Sequence, residues 1–531
     1  MRIKRGKGVA GIVVCVAVLL GMNVWYQKCH VKIEQNIYGE HLELVEETGE
    51  PLAHLDDEFV ADEGFETGLP IIVLDMNGKE PPITLAYNQE TKIYETLEDV
   101  EPYIEGRIQV IDSGGLNHIT DKPVQESKIL IKRRGNTSMM YDKPQYLVKL
   151  RTESGQDNKI SLLSMGADDE WVLNGSMSDP SMMRNYLCYR VASQMTDYAP
   201  DTKYCEVFIR KDGKYTYQGV YLLGEKVGQG EYRVNISDYK KSDVYTPYIV
   251  RRDRYDKEGL MLDTYATREG LTYGYLGVIY PSRYKISEET VQYIEQDISK
   301  VEQILYADDY MTFSRYPDYI DVDSFVDYFI INEFFGNYDA GNNSTYMYKE
   351  LGGKLKIGPV WDYDGAIDNY KLAEMSEEDL AFYTAPFFDR LVQDQAFMEK
   401  VQKRYARLRR GLLSEENIIG LVDEIHEYLT YAQPREWARW SKMYQEKNSF
   451  ALVDYLDEDG DLIVRQSDSY EQELYRIKTV LRKHGDSIMR DLKDMREGTE
   501  LDTGRRGRNG IFFIICLAVF FVPAIYVSRE K

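Results

Sequence analysis

Cysteine is scarce in this chain. Five among 531 residues are too few for a disulfide scaffold. Cys15 and Cys516 sit inside apolar runs, and Cys29 lies just beyond the first of these. Cys188 and Cys205 fall on an expected helix and strand, as reduced core residues. Positive charge is also in deficit. Lys and Arg number 65 against 89 Asp and Glu, a net charge of −24, which argues against nucleic-acid binding through a basic surface. No internal repeat is visible. No small-x-small cleavage site closes the first apolar run, which ends Asn23-Val24-Trp25-Tyr26, so an uncleaved anchor is expected there, with a cleaved signal peptide as the alternative. What remains is a chain 43% hydrophobic, able to bury a large core. At roughly 150 residues per domain it has room for two to four. Tyrosine is heavily used, at 44 residues, for core rings or for an acidic aromatic surface that binds proteins or glycans.

The two ends carry the long apolar runs. Residues 8–26 contain no charge and are long enough to span a bilayer. Arg2, Lys4, Arg5 and Lys7 precede them, which favours a cytoplasmic N-terminus over residues 1–7. Residues 510–527 form a second run, followed by Arg529 and Lys531. Two transmembrane helices put both ends on one side, so a cell-membrane protein with an extracytoplasmic central domain is expected. Arg505, Arg506 and Arg508 pull the other way, but long translocated domains override such local charge. Residues 27–68 are acidic and poorly patterned, and read as a partly disordered stalk.

Strand signals begin at Leu69-Pro70-Ile71-Ile72-Val73-Leu74-Asp75, with a turn at Asn77-Gly78. Arg134-Gly135-Asn136-Thr137-Ser138 reads as a small-residue loop between strands, able to cradle phosphates through its amides, its hydroxyls and Arg134. On the following strand Tyr146, Val148 and Leu150 share one face and Lys149 takes the other. An ordinary hairpin with a solvated Lys is the plainer account of that pair. Asp179 to Met195 reads as a helix with Asp179 as N-cap. Tyr204–Arg210 and Tyr215–Leu223 form a hairpin closed by Asp212-Gly213. Beyond residue 286 the pattern is mainly helical, with Val322–Phe335 a buried helix.

That helix runs into the stretch with the most chemistry. Gly336-Asn337-Tyr338-Asp339-Ala340-Gly341-Asn342-Asn343 is followed by Trp361-Asp362-Tyr363-Asp364. Asp339 and Asp362 are 23 positions apart, which fits a loop, a hairpin and a second loop whose ends converge. Oxygen ligands without His or Cys suit a hard cation such as Mg²⁺. A loop Asp, a nearby Asn and a later Asp, in that order, also occur in phosphoryl-transfer sites. Asn-rich loops and Asp-bearing turns are common surface features as well.

Taken together these blocks resemble the CotH kinase family. The matching pieces are Leu69-Pro70-Ile71-Ile72, the Arg134 loop with Lys143-Pro144 and Tyr146–Leu150, and Asp179 with Arg184-Asn185. They continue with Gly219–Glu225, Asn337-Tyr338-Asp339 and Trp361–Asp364, so the likeness covers roughly residues 69–370. The resemblance implies an α+β, divergent protein-kinase-like two-lobed fold. Residues 69–228 would be a β-rich N-terminal lobe, and 229–500 a mainly helical C-terminal lobe. It implies ATP and Mg²⁺ (or Mn²⁺) as cofactors and Ser or Thr of a protein acceptor as target. Asp339 would be catalytic, and Asp362, Asn343 and Asp364 would be metal ligands, with Asn342 the alternative to Asn343. Lys149, Arg134 and Glu225 would be cofactor-binding. The Arg134 motif holds one glycine where a kinase loop holds several. A non-catalytic binding ectodomain on the same fold, and transfer to a glycan or cell-wall polymer, are the competing expectations.

Overall fold

Period-two alternation makes strands with one apolar face, and here those faces close on each other. The computed structural model describes residues 42–88, 93–97, 99–135, 137–256, 259–369, 380–445 and 467–497. In chain order the strands are β1 (Val60–Ala61), β2 (Glu66–Thr67), β3 (Ile71–Asp75), β4 (Leu85–Asn88), β5 (Ile93–Thr96), β6 (Ile104–Ile111), β7 (Asn117–His118) and β8 (Gln125–Arg133). They continue as β9 (Tyr146–Arg151), β10 (Glu170–Asn174), β11 (Thr202–Lys211), β12 (Lys214–Glu225), β13 (Tyr248–Asp253), β14 (Tyr275–Tyr280), β15 (Thr345–Lys349) and β16 (Lys356–Ile357). The larger sheet runs β1-β12-β10-β9-β8-β6-β3-β11, and β11 pairs back onto β12. Apart from the short edge strand β1, the sheet is therefore a closed barrel. Ile72, Ile108, Ile131, Val148, Trp171, Val207 and Leu223, one from each barrel strand, are buried in a single core cluster. Closure leaves the barrel strands without a free edge to template aggregation.

The β11–β12 hairpin closes at Asp212 and Gly213, both at positive φ (50° and 78°), as a two-residue turn demands. Its register shifts between Val207 and Phe208, opposite Gly219. There φ is 110°, and a Cβ would meet the Glu436 carboxylate at 2.2 Å. That carboxylate accepts from the Val220 amide at 2.7 Å and from the Lys143 ammonium at 2.6 Å. The bulge thus seats the helix Ala432–Gln445 on the barrel.

The second sheet runs β14-β13-β15-β16. The helices Glu288–Leu305 and Val322–Phe335 pack on it, and Tyr470–Glu497 packs on Val322–Phe335, Gln395–Leu408 and Glu415–Tyr428. Val322–Phe335, expected as a buried helix, is one with those bounds. Asp321 caps it by accepting from the Ser324 amide at 3.0 Å. Phe329 packs on Phe388 and Phe397 with ring centroids 5.7 and 6.4 Å apart. The described fold is thus mixed α+β, with a large sheet and several helices.

Two readings need correction. Residues 42–68, taken as part of a stalk, pack onto the domain. The buried Glu47 carboxylate receives Arg435 at 2.5 Å, and Arg435 also reaches Glu206 at 2.7 Å. Most of its carboxylates, Asp56, Asp57 and Glu58 among them, stay exposed, while Phe65 joins a buried cluster with Leu55, Phe59 and Ala61 packed against it, so apolar contacts and the Glu47 pair hold the segment. The helix read from Asp179 begins at Arg184, because the Asp179 carboxylate, from outside the helix, accepts the Arg184 amide at 2.9 Å. The expected membrane spans, 8–26 and 510–527, lie outside the described residues. Among the described residues no helix is long and apolar enough to cross a membrane. Cys188 and Cys205 are buried and free.

Candidate active site

The helix Val322–Phe335 ends because Gly336 takes a left-handed conformation, φ 61°, that a side chain disfavours. The chain then turns into the Asp339 loop. β15 and β16 form the hairpin expected between the two acidic loops, with Met347 opposite Ile357 and Tyr348 opposite Lys356. It returns the chain to Asp362, itself at φ 67°.

Asp339 is half-buried, and the Asn343 side-chain amide donates to it at 2.6 Å. Burial pushes Asp339 up to about 6, with the Asn343 bond opposing and the Asp362 charge adding to the rise. Asp362 is exposed and takes the Ser344 hydroxyl at 3.2 Å. Asp364 accepts from the Ser178 hydroxyl. Burial and the neighbouring Asp362 carboxylate hold Asp364 well above the usual carboxylate range. Asp339, Asn343, Asp362 and Asp364 are therefore one electrostatic cluster drawn from two loops.

The loops are held from behind by the helix Arg184–Ser193. Asn185 and Tyr189, four apart and so on one helix face, both bind the second loop's backbone. The Tyr363 amide donates to Asn185 Oδ1 at 2.7 Å and the Asp362 amide to the Tyr189 hydroxyl at 3.1 Å. Arg184 donates to the carbonyls of Ala366 and Ile367 at 2.8 and 3.2 Å, and pairs with Asp179 and Glu473 at 2.5 Å each. Asn337 donates to the Asp362 carbonyl at 3.2 Å. Tyr189, Ser178 and Ser344 were not singled out from the sequence. The i, i+4 relation of Tyr189 to Asn185 was the signal for the first.

Arg134 reaches the second loop at Trp361. Its guanidinium lies over the Trp361 ring at 5.5 Å, and Tyr189 stacks near the same ring with centroids 6.0 Å apart. Gln145 accepts from Arg134 at 2.8 Å. Lys149 and Glu225 are placed on the barrel. Lys149 projects outward to Glu170 at 2.7 Å, with the Tyr103 ring 5.3 Å away. Glu225 is buried and bound to Arg233 at 2.5 Å, to the Tyr198 hydroxyl at 2.9 Å and to the Asp201 amide at 3.1 Å. Burial raises it to about 8, with Arg233 and the Asp201 amide opposing.

The donor set fits a divalent cation of the Mg²⁺ kind. Among the described residues no three His, Cys, Asp or Glu side chains form a ready-made cage. Mg²⁺ does not need one, since it binds through one or two carboxylates plus waters and substrate phosphates. The Asp362 charge raises Asp364, and a cation held by these carboxylates would relieve that repulsion. Asn343 turns its amide nitrogen to Asp339, which directs its carbonyl oxygen elsewhere.

No curated protein matches the chain. A family model described as "CotH kinase protein" matches residues 131–488. The match begins in β8, just before the Arg134 loop, takes in both acidic loops and ends within the helix Tyr470–Glu497. Since it spans more than half of the 531 residues, the chain belongs to the CotH kinase family.

Proposed function

We propose that this chain is a membrane-anchored CotH-type kinase that transfers the γ-phosphate of ATP to Ser or Thr of a protein acceptor. The barrel and the mainly helical region form the two lobes of a divergent kinase-like fold in this reading. The observation that carries it is the Asn343–Asp339 bond of 2.6 Å beside the Asp362–Asp364 pair, brought together across the β15–β16 hairpin. Asp339 accepts the acceptor hydroxyl's proton, and Asn343 orients that carboxylate. Asp362, Asp364 and the Asn343 carbonyl oxygen would hold Mg²⁺, which when bound supplies positive charge at the phosphate oxygens. Arg134, held by Gln145 and lying on Trp361, the residue before Asp362, would add a cation. Phosphoryl transfer is mostly positioning and electrostatics, so such a set suffices without a covalent intermediate. Lys149 contributes charge from the barrel, and Glu225 fixes the end of β12.

The test is incubation of the full chain with labelled ATP and Mg²⁺ or Mn²⁺, with and without casein-like acceptors. Label should enter protein Ser or Thr in the wild type. In Asp339→Asn it should fall by roughly 10²–10⁴, the scale of a general base. Full transfer by that variant would remove Asp339 from the mechanism.

A further inference from the structure

Three lysines crowd the outer face of the barrel. Ile131, Val148 and Trp171 point into the core, so Lys132 on β8, Lys149 on β9 and Glu170 on β10 point out. Leu147 pairs with Lys132, Lys149 with Glu170, and Glu225 with Trp171, which brings Lys226, the residue after β12, beside Glu170. Glu170 bridges Lys149 at 2.7 Å and Lys226 at 2.5 Å. The Tyr103 ring lies 5.1 Å from the Lys132 ammonium and 5.3 Å from that of Lys149. Burial works to raise Glu170, but the Lys226 and Lys149 charges hold it down to about 2. Burial lowers Lys132, and the Lys149 and Lys226 charges lower it further. One bridging carboxylate and Asp256, acting on Lys132 from the loop after β13, face three ammonium groups.

Such a concentration of positive charge stands out on a chain of net charge −24. Its position matters too. The loop that brings Asp256 to Lys132 also brings Asp253 and Arg254 to Asp339. Residues 253–256 span at most about 14 Å when fully extended. The lysine row and the carboxylate cluster are thus joined by one short loop.

We propose that Lys132, Lys149 and Lys226 form a polyphosphate-binding row that takes the phosphate chain of the nucleotide, with Glu170 as the counterion that yields its lysines to the incoming anion. This rests on the phosphotransferase reading above and adds Lys132 and Lys226 to the residues that bind substrate. Ammonium groups are point-charge phosphate ligands, suited to a chain of phosphates more than to one planar carboxylate.

Calorimetry on the full chain separates the two ideas. Lys132→Gln, Lys226→Gln and the double variant are titrated with ATP, AMP and tripolyphosphate, and their melting temperatures are recorded. Each single change should weaken ATP by about tenfold, the scale of one charge-assisted hydrogen bond. AMP affinity should hold, so the ratio of ATP to AMP affinity falls, which a merely structural role would not cause. Should Lys132→Gln melt early, the half-exposed Lys226 decides alone. ATP affinity unchanged in the double variant overturns the row while leaving the kinase reading intact. Tripolyphosphate binding that is lost in the double variant, in a wild type that binds no ATP, keeps the row and removes the kinase reading. A wild type that binds neither overturns the row.

Discussion

A general base must be ionised when it acts, yet burial raises Asp339 to about 6. The linkage has a definite sign. A carboxyl whose folded-state value lies above its unfolded one binds protons more readily when folded. Stability therefore falls as pH rises from the ordinary carboxylate range to about 6, and stays lower above that. Asp339→Asn removes this penalty. Without metal, the variant should melt higher than wild type at pH 7 and show no such advantage at pH 4. Thermal melts at the two pH values decide it. If Asp339 merely capped the turn, Asn would cap it equally well and the two proteins would melt alike at both pH values. Asp362 calls for a different substitution. At φ 67° an Ala would add backbone strain, whereas Asn tolerates that conformation and removes only the charge. Asp362→Asn should keep the melting temperature and abolish Mg²⁺-dependent ATP binding in calorimetry. Unchanged affinity would take Asp362 out of the metal site.

At the scale of elements, the barrel and the helix Ala432–Gln445 are joined through buried charge. Lys143 and Glu436 pair at 2.6 Å, with both side chains fully buried. Removing one partner of a buried pair leaves the other charge uncompensated, a loss of roughly 3–5 kcal/mol. Lys143→Met should therefore lower the denaturation midpoint strongly. Adding Glu436→Gln should recover part of the loss, since no lone carboxylate is then buried. Equal stability of Lys143→Met and wild type would show that the helix is held by its Trp437 and Trp440 packing alone. Lys143 illustrates how an element can be legible while its role is not. Strand β9 was visible from Tyr146, Val148 and Leu150, whereas the partner of Lys143 lies 293 positions away.

For the whole molecule, the expectation is a domain held outside the cytoplasm by spans at 8–26 and 510–527. Protease added to intact cells or spheroplasts should digest the central region. Digestion only after lysis would reverse the orientation and place the domain beside cytoplasmic ATP. Glu47 and Arg435, bound at 2.5 Å, clasp the N-terminal strap of the described domain to a helix late in the chain. The strap is therefore part of the globular body and not a free tether.

Local chemistry determined much of this protein. A continuous apolar run gave β3, alternation gave β9 and a tight turn between two strand runs gave the β11–β12 hairpin, while the apolar helix Val322–Phe335 was legible because every residue from Tyr328 to its end is buried. The loop, hairpin and loop between Asp339 and Asp362 could be read because the chain that links them is short. Barrel closure needed the tertiary structure, since the pairing of β3 with β11 sets Ile71 beside Glu206, far along the chain, and no local pattern encodes it. The same holds for the stalk that is not a stalk, for Arg134 laid on Trp361, and for the lysine row. Each depends on charges or rings from distant segments meeting in a medium of low dielectric, where partners decide the energy of a group more than its own type does.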